Sequence, residues 1–362
     1  MSMTFRIAIA VVVVYCIGLL FTFERPPVDV TQTGYRGLAQ QQVKNPRTEA
    51  EKVAANKVPA PIEAVDSTGP LAGEIYKNVT VLGDLPDAQF LRLMSAITEW
   101  VSPEQGCAYC HVEGEDLAAD TLYTKVVSRR MIEMTRHINT KWESHVAQTG
   151  VTCYTCHRGQ PVPAGIWFTD PGRKHTPGMA GYTAGQNEAA PAVGYAALPV
   201  DPFTTFFQGG EKNSIRVIST AALPTDNKAD IKQTEATYAL MFHLSESMGV
   251  NCTFCHNSRS FAQWDQSPPQ RATAWYGIRL VRDLNDAYLN PLQSTFPKNR
   301  LGPLGDAPKV NCTTCHQGVN KPLYGNASLL AAHPELDREA GVVPAKAPAP
   351  QPAPAEQTPP QQ

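Results

Sequence analysis

The sequence predicts a mainly α-helical protein with little regular sheet, built from two pseudo-repeated halves and preceded by one transmembrane helix. Three observations predict it: an apolar N-terminal run, a set of amphipathic helical segments, and four copies of Cys-x-x-Cys-His, at Cys107–His111, Cys153–His157, Cys252–His256 and Cys312–His316. The motifs use eight of the nine cysteines. Random placement of nine Cys and nine His would give roughly 0.005 such pentapeptides, so four of them are an architectural plan. In this motif two thiols add to the vinyl groups of a haem, and the adjacent histidine becomes the iron's fifth ligand. Cys107, Cys110, Cys153, Cys156, Cys252, Cys255, Cys312 and Cys315 are therefore read as attachment points for four covalent c-type haems, with His111, His157, His256 and His316 beneath the irons. The fold class is accordingly that of a multihaem cytochrome c.

Zinc would need four ligands per site, from two Cys-x-x-Cys pairs or one pair with two later histidines, and it leaves the four adjacent histidines unexplained. A disulfide between cysteines three apart closes a very small ring, which is usually a redox motif. The formal net charge of −2 gives no support to nucleic-acid binding and no whole-molecule field, so any docking patch is local. Four porphyrins also add apolar surface of their own, which lowers the need for regular secondary structure.

In chain order, residues 1–25 hold the anchor. The run from Phe5 to Phe23 carries one charge, Arg6, and its 19 residues suit a bilayer-spanning helix. A cleaved signal peptide would have a shorter apolar core and small residues before the cut. Lipoprotein processing at Cys16 is disfavoured by the bulky Val13, Val14 and Tyr15 before it. Covalent haem attachment of this kind takes place outside the bacterial cytoplasm, so the N-terminus is expected in the cytoplasm and everything after Arg25 in the periplasm. Residues 26–70 lack sustained periodicity and read as an extended strap or linker.

An internal duplication follows. Asn78–Pro86 aligns with Arg216–Pro224, each reading as a short strand before a helix, and each is followed by two motifs. The halves run over 71–168 and 214–325, joined by a Gly/Pro/Ala-rich connection over 169–213, with a C-terminal segment 326–362 that becomes a disordered Pro/Ala-rich tail from about Pro344.

The sixth ligands decide between electron exchange and chemistry on a bound small molecule. Asp87–Val101 has helical apolar spacing after Pro86-Asp87 and places Met94 on its buried face. Thr121–His137 offers Met131 and Met134, and Ala236–Met248 offers Met241 and Met248. The helix Arg271–Leu289 before the fourth motif has no methionine. Of the histidines outside the motifs, His175 lies in a Gly/Pro-rich loop and His333 near the tail, leaving His137, His145 and His243 as candidates, each of which could equally be a packing residue.

Over residues 70 to 330 these motifs and intervals, with the segment NTKWESHV around His145, resemble the tetrahaem cytochrome c subunit bound to the photosynthetic reaction centres of purple-type bacteria. The resemblance implies the axial pairs Met94 with His111, Met131 with His157, Met241 with His256, and His145 with His316. It leaves Met134, Met248 and His137 to packing. It implies an electron-transfer subunit and no enzyme: a row of haems on the periplasmic face of the reaction-centre core subunits that carry the special pair. Electrons come from a soluble donor, a small cytochrome c or a high-potential iron–sulfur protein, and re-reduce the photo-oxidised special pair. The spatial order implied is third haem nearest the pair, then fourth, second and first. Many relatives carry a lipid on an N-terminal cysteine, whereas the context of Cys16 points to an anchor helix. The alternatives are a periplasmic nitrite or peroxide reductase, which needs an open iron, and a quinol-linked anchored cytochrome.

Overall fold

The computed structural model describes residues 2–22, 27–32, 41–172, 189–210, 215, 217 and 230–338. The tail from Pro344, His175, Phe23 and, apart from Val217, the expected strand Arg216–Pro224 lie outside the described residues.

The first helix, α1 (Met3–Leu20), starts at Ser2, whose hydroxyl accepts from the Phe5 N–H, and no residue along it is buried. With a mean hydropathy of 2.3 it is long and apolar enough to cross a bilayer. Strands β1 (Asp29–Gln32) and β2 (Gln41–Lys44) pair antiparallel and form the only sheet among the described residues, as a mainly helical fold with little sheet requires. Helix α2 (Pro46–Ala55) then occupies part of the segment read as strap. Its signal was present: Asn45 caps the Arg47 N–H at 3.0 Å and Pro46 supplies the first helical turn.

The expected strand at Asn78–Pro86 does not form. The short helix α3 (Ala72–Ile75) takes its hydrogen-bonding groups instead: Ala72 N–H donates to the Leu85 carbonyl at 2.7 Å and Gly73 N–H to Gly83 at 3.1 Å. Asn78, in the left-handed region at φ 62°, turns the chain and donates to the Ala118 carbonyl. With the carbonyls of Gly83 and Leu85 given to α3 and that of Leu82 to the Leu85 N–H, the segment builds no ladder beyond a single bridge between Pro86 and Leu71.

The remaining helices are α4 (Asp87–Val101), α5 (Tyr123–Lys141), α6 (Glu143–Val146), α7 (Cys153–His157), α8 (Phe203–Phe206), α9 (Ile231–Met248), α10 (Gln270–Leu284), α11 (Cys312–His316) and α12 (Ser328–Ala332). α4 has the bounds its periodicity predicts and buries Leu93, Ala96 and Trp100 on one face. α9 starts at Asp230, which accepts from the Gln233 N–H, and stops at Gly249 in the left-handed conformation, φ 62°. A side chain at Gly249 would overlap the Gly318 carbonyl, so glycine serves there both as helix stop and as a point of close approach. α10 runs on into a π-helical turn, Asn285–Leu289, before Pro291 closes it.

Two apolar clusters form the core. One gathers α4 with Val81, Leu82, Leu85, Ile132 and the C-terminal residues Leu329, Leu330 and Leu336. The other gathers α9 and α10 with Met134, Ile138, Trp167, Phe203, Phe206 and Phe207. α5 contributes to both. Residues 203–207 of the connecting segment and 329–336 of the C-terminal segment therefore contribute to the core, and His333, read as lying near the tail, is fully buried with its ring edge-on to Trp100.

Arg92 ties three of these regions together. Its guanidinium donates to the carbonyls of Glu63, Ile62 and Ala332, each at 2.7 Å, so α4 holds both the segment before α3 and the end of α12. Arg92→Met is expected to destabilise the protein by about 3 kcal/mol, because several charge-assisted bonds are lost and their carbonyls are left half-buried. Denaturant unfolding measures the loss, and limited proteolysis should cut first near residues 58–66.

Candidate haem sites

Each motif folds as a single helical turn, which brings both thiols and the histidine to one side. In motif 1 the His111 N–H donates to the Cys107 carbonyl at 2.9 Å, and in motif 3 the His256 N–H donates to Cys252 at 3.0 Å. Motifs 2 and 4 are α7 and α11. They are capped alike, with Thr152 N–H on the Thr155 hydroxyl and Asn311 N–H on the Thr314 hydroxyl, both at 3.0 Å. Both end at a left-handed residue, Arg158 and Gln317, and then a glycine whose N–H donates to a helix end: Gly159 to Trp100 of α4 and Gly318 to Ser247 of α9, each at 2.8 Å.

The four motif histidines share one local geometry. Nδ1 lies against a backbone carbonyl in every motif: Leu117 for His111 at 3.1 Å, Gln160 for His157 at 2.9 Å, Phe261 for His256 at 3.1 Å and Val319 for His316 at 3.0 Å. A carbonyl only accepts, so Nδ1 carries the proton and Nε2 keeps its lone pair for a metal. Burial pushes all four rings below their ordinary pKa, His316 down to about 4, so they are neutral at physiological pH.

The spare histidines now separate. Nε2 of His137 lies 2.6 Å from Asp283, which also accepts from the Trp142 indole, so His137 links α5 to α10. Nε2 of His243 meets the Ser247 hydroxyl at 3.2 Å, and that hydroxyl meets Thr313 at 2.7 Å, so His243 is packing between α9 and α11. His145 is held as the motif histidines are, with Nδ1 on the Thr273 carbonyl at 2.9 Å. Its ring faces that of His316 with centroids 6.0 Å apart. One metal ion bonded at about 2 Å to a nitrogen of each imidazole would separate the centroids by roughly 6 Å, so the pair fits a bis-imidazole iron. Met94 and Met131 are half-buried on α4 and α5, which pack on motif 1 and on α7 respectively. Met241 is half-buried on α9, which leads into motif 3 through the Gly249 turn. Met134 is buried in the core, and Met248 packs against it. Among the described residues no three His, Cys, Asp or Glu side chains converge as a zinc site needs.

Motifs 2 and 4 and the helices that lead into motifs 1 and 3 pack in a row: α4 on α7, α7 on α11, α11 on α9. At its centre the sulfurs of Cys156 and Cys315 are 3.1 Å apart. α2 lies over this seam, with Arg158 donating to Ala55 at 2.8 Å and Asn56 to Gln317 at 3.5 Å. β2 reaches the motif 3 end, where Gln42 donates to Asn251 at 3.0 Å.

A sequence profile of the photosynthetic reaction centre cytochrome c subunit matches residues 24–337. The chain belongs to that family. It is 53% identical over 337 residues to the photosynthetic reaction center cytochrome c subunit of Rubrivivax gelatinosus, covering 93% of this chain and 91% of that one. Against the subunit of Thermochromatium tepidum it is 49% identical, covering 94% and 83%. Against that of Roseobacter denitrificans it is 46% identical, covering 74% and 73%. As a member of a cytochrome c family the chain carries covalently bound c-type haem, and it is an electron-transfer subunit, not an enzyme.

Sequence reasoning passed over the side chains that hold the motifs. Asn139 accepts from the Val151 N–H at 2.7 Å and donates to the carbonyls of Val151 at 3.0 Å and Leu336 at 2.8 Å. Asn285 accepts from Val310 at 2.9 Å and donates to Val310 at 3.0 Å and Phe207 at 3.1 Å. Three residues earlier in each helix, Arg136 donates to Glu335 at 3.1 Å and Arg282 to Phe206 at 2.9 Å. The recurring Arg-x-x-Asn was legible as a signal. Lys125, nearly buried, donates to Leu117 at 2.7 Å and so shares the carbonyl that orients His111.

Beside Lys125, the Arg129 guanidinium, with Asn78 and Lys125, holds the Asp120 carboxyl well below its ordinary 3.8. A depressed carboxylate pKa stabilises the fold fully above the unfolded value, and the effect is lost as pH falls through the folded one. Asp120→Asn is therefore expected to lower stability at neutral pH, with the gap to the parent protein closing as pH drops below about 4. Urea unfolding across that range, followed by far-ultraviolet circular dichroism, measures it.

Proposed function

We propose that this chain passes electrons from a soluble periplasmic donor, a small cytochrome c or a high-potential iron–sulfur protein, to the photo-oxidised special pair of a photosynthetic reaction centre. It does so with four covalent haems held by two pseudo-repeated two-haem halves, 71–168 and 214–325. The axial pairs are Met94 with His111, Met131 with His157, Met241 with His256, and His145 with His316. α1 anchors the chain in the photosynthetic membrane, N-terminus in the cytoplasm and haem-bearing part in the periplasm, against the core subunits that carry the special pair.

The observation that carries this reading is the row α4, α7, α11, α9, in which the helix before motif 1 packs on motif 2, motif 2 on motif 4, and motif 4 on the helix before motif 3, and it supports the order 1, 2, 4, 3. A c-type haem supplies one-electron exchange at its iron. The chain's own residues supply everything else the relay needs. Carbonyls on Nδ1 fix the imidazole orientation, so little reorganises when the charge at the site changes. The Cys156–Cys315 contact of 3.1 Å supports adjacent placement of the second and fourth sites. The shared Arg-x-x-Asn clamps and the matched caps of α7 and α11 support the two halves. Motif 3, at the end of the row, is the exit.

Three measurements test this. The denatured chain should weigh four haems more than the polypeptide and keep haem staining, and Cys156→Ser with Cys153→Ser should remove one. A flash given to intact membranes should bleach a haem band within the lifetime of the oxidised special pair; a quinol-linked cytochrome would show no such light response. His145→Ala should leave four haems attached and make one high-spin, and four unchanged six-coordinate spectra would remove His145 from the ligand set.

A further inference from the structure

We propose that Gly277 is the residue that admits His145 to the fourth haem, and that it marks a latent methionine position on α10. The inference rests on the His145/His316 pair proposed above.

Asn139 lies eight residues after Met131, and Asn285 eight residues after Gly277, by the differences 139 − 131 and 285 − 277. Both asparagines make the same reciprocal bonds to the residue two before a motif's first cysteine, Val151 before Cys153 and Val310 before Cys312. Gly277 therefore stands towards motif 4 as Met131 stands towards motif 2. At motif 2 the helix itself supplies the side chain above the site. At motif 4 the place is filled by His145, carried on α6 from the other part of the chain.

Contact distances say why glycine is needed. A Cβ at Gly277 would lie 2.6 Å from Cε1 of His145, 3.0 Å from Nδ1 and 3.2 Å from Nε2. Carbon contacts are favourable at roughly 3.5 Å and steeply repulsive well inside that. Gly277 has ordinary helical backbone and sits mid-helix, where glycine is among the poorest formers, so its value is the missing side chain. One turn earlier on the same helix, Thr273 offers the carbonyl that holds Nδ1 of His145 at 2.9 Å. α10 thus receives the incoming imidazole with one bond and one clearance.

The test uses the full-length holoprotein. Gly277→Ala should displace the ring, so that all four haems stay attached while one becomes high-spin and binds added imidazole or carbon monoxide. Gly277→Met combined with His145→Ala should return that haem to a six-coordinate state with sulfur as ligand. The sulfur-to-iron charge-transfer band should then grow by about one third, from three methionine-ligated haems to four. If His145→Ala alone opens one haem but Gly277→Ala leaves all four six-coordinate at parental potentials, the clearance role is wrong and the ligand pair stands. If His145→Ala opens none, the ligand pair fails first. If Gly277→Ala loses a haem altogether, the double variant decides, and a fourth site that stays high-spin in it overturns the latent position.

Discussion

A histidine can bind iron only while it is neutral, and only if its other nitrogen is told where to stay. In this chain both conditions come from ordinary backbone. The carbonyls of Leu117, Gln160, Phe261 and Val319 take the Nδ1 proton of the four motif histidines, and Thr273 does the same for His145. Burial keeps the rings unprotonated. The loops after each motif have to end where these carbonyls are needed. This constraint explains the left-handed Arg158 and Gln317, whose turns bring Gln160 and Val319 back over α7 and α11.

The row of sites depends in turn on how one-turn elements can be fixed. A five-residue helix such as α7 is too short to stand on propensity. It is held from outside, by Asn139 before its first cysteine and by the Trp100 carbonyl after its last histidine. α11 has Asn285 and Ser247 in the same places. Helices α4, α5 and α9 thus do two jobs, carrying a candidate ligand on one face and fastening a neighbouring motif with another, while α10 fastens α11 and offers the Thr273 carbonyl to His145.

What could be read without coordinates follows from this division. α4 was legible to the residue because its buried face repeats at helical spacing between Pro86-Asp87 and Ser102-Pro103. The candidate ligands were legible because Cys-x-x-Cys-His is specific and His145 lies in a recognisable segment. Among the spare histidines, however, the choice needed geometry: His137, His145 and His243 look alike in sequence, and only their Nε2 partners distinguish them. The strand expected at Asn78–Pro86 failed because a run of β-formers says nothing about whether a partner strand is available. α2 was passed over although Asn45-Pro46 announces it, since ten residues lying on a seam need no long apolar stripe. His333 sits close to a disordered-looking tail in sequence, and burial against Trp100 is a long-range fact.

The clamps on α7 and α11 are completed by segments from opposite ends of the fold. Asn285 reaches back 78 residues to Phe207, whereas Asn139 waits for Leu336, 197 residues downstream. The clamp on motif 2 therefore takes one of its partners from near the end of the globular part of the chain. Chain order thus makes the two clamps unequal: a chain shortened before Leu336 would lack one partner of Asn139 at motif 2 while the Asn285 clamp at motif 4 kept all of its own.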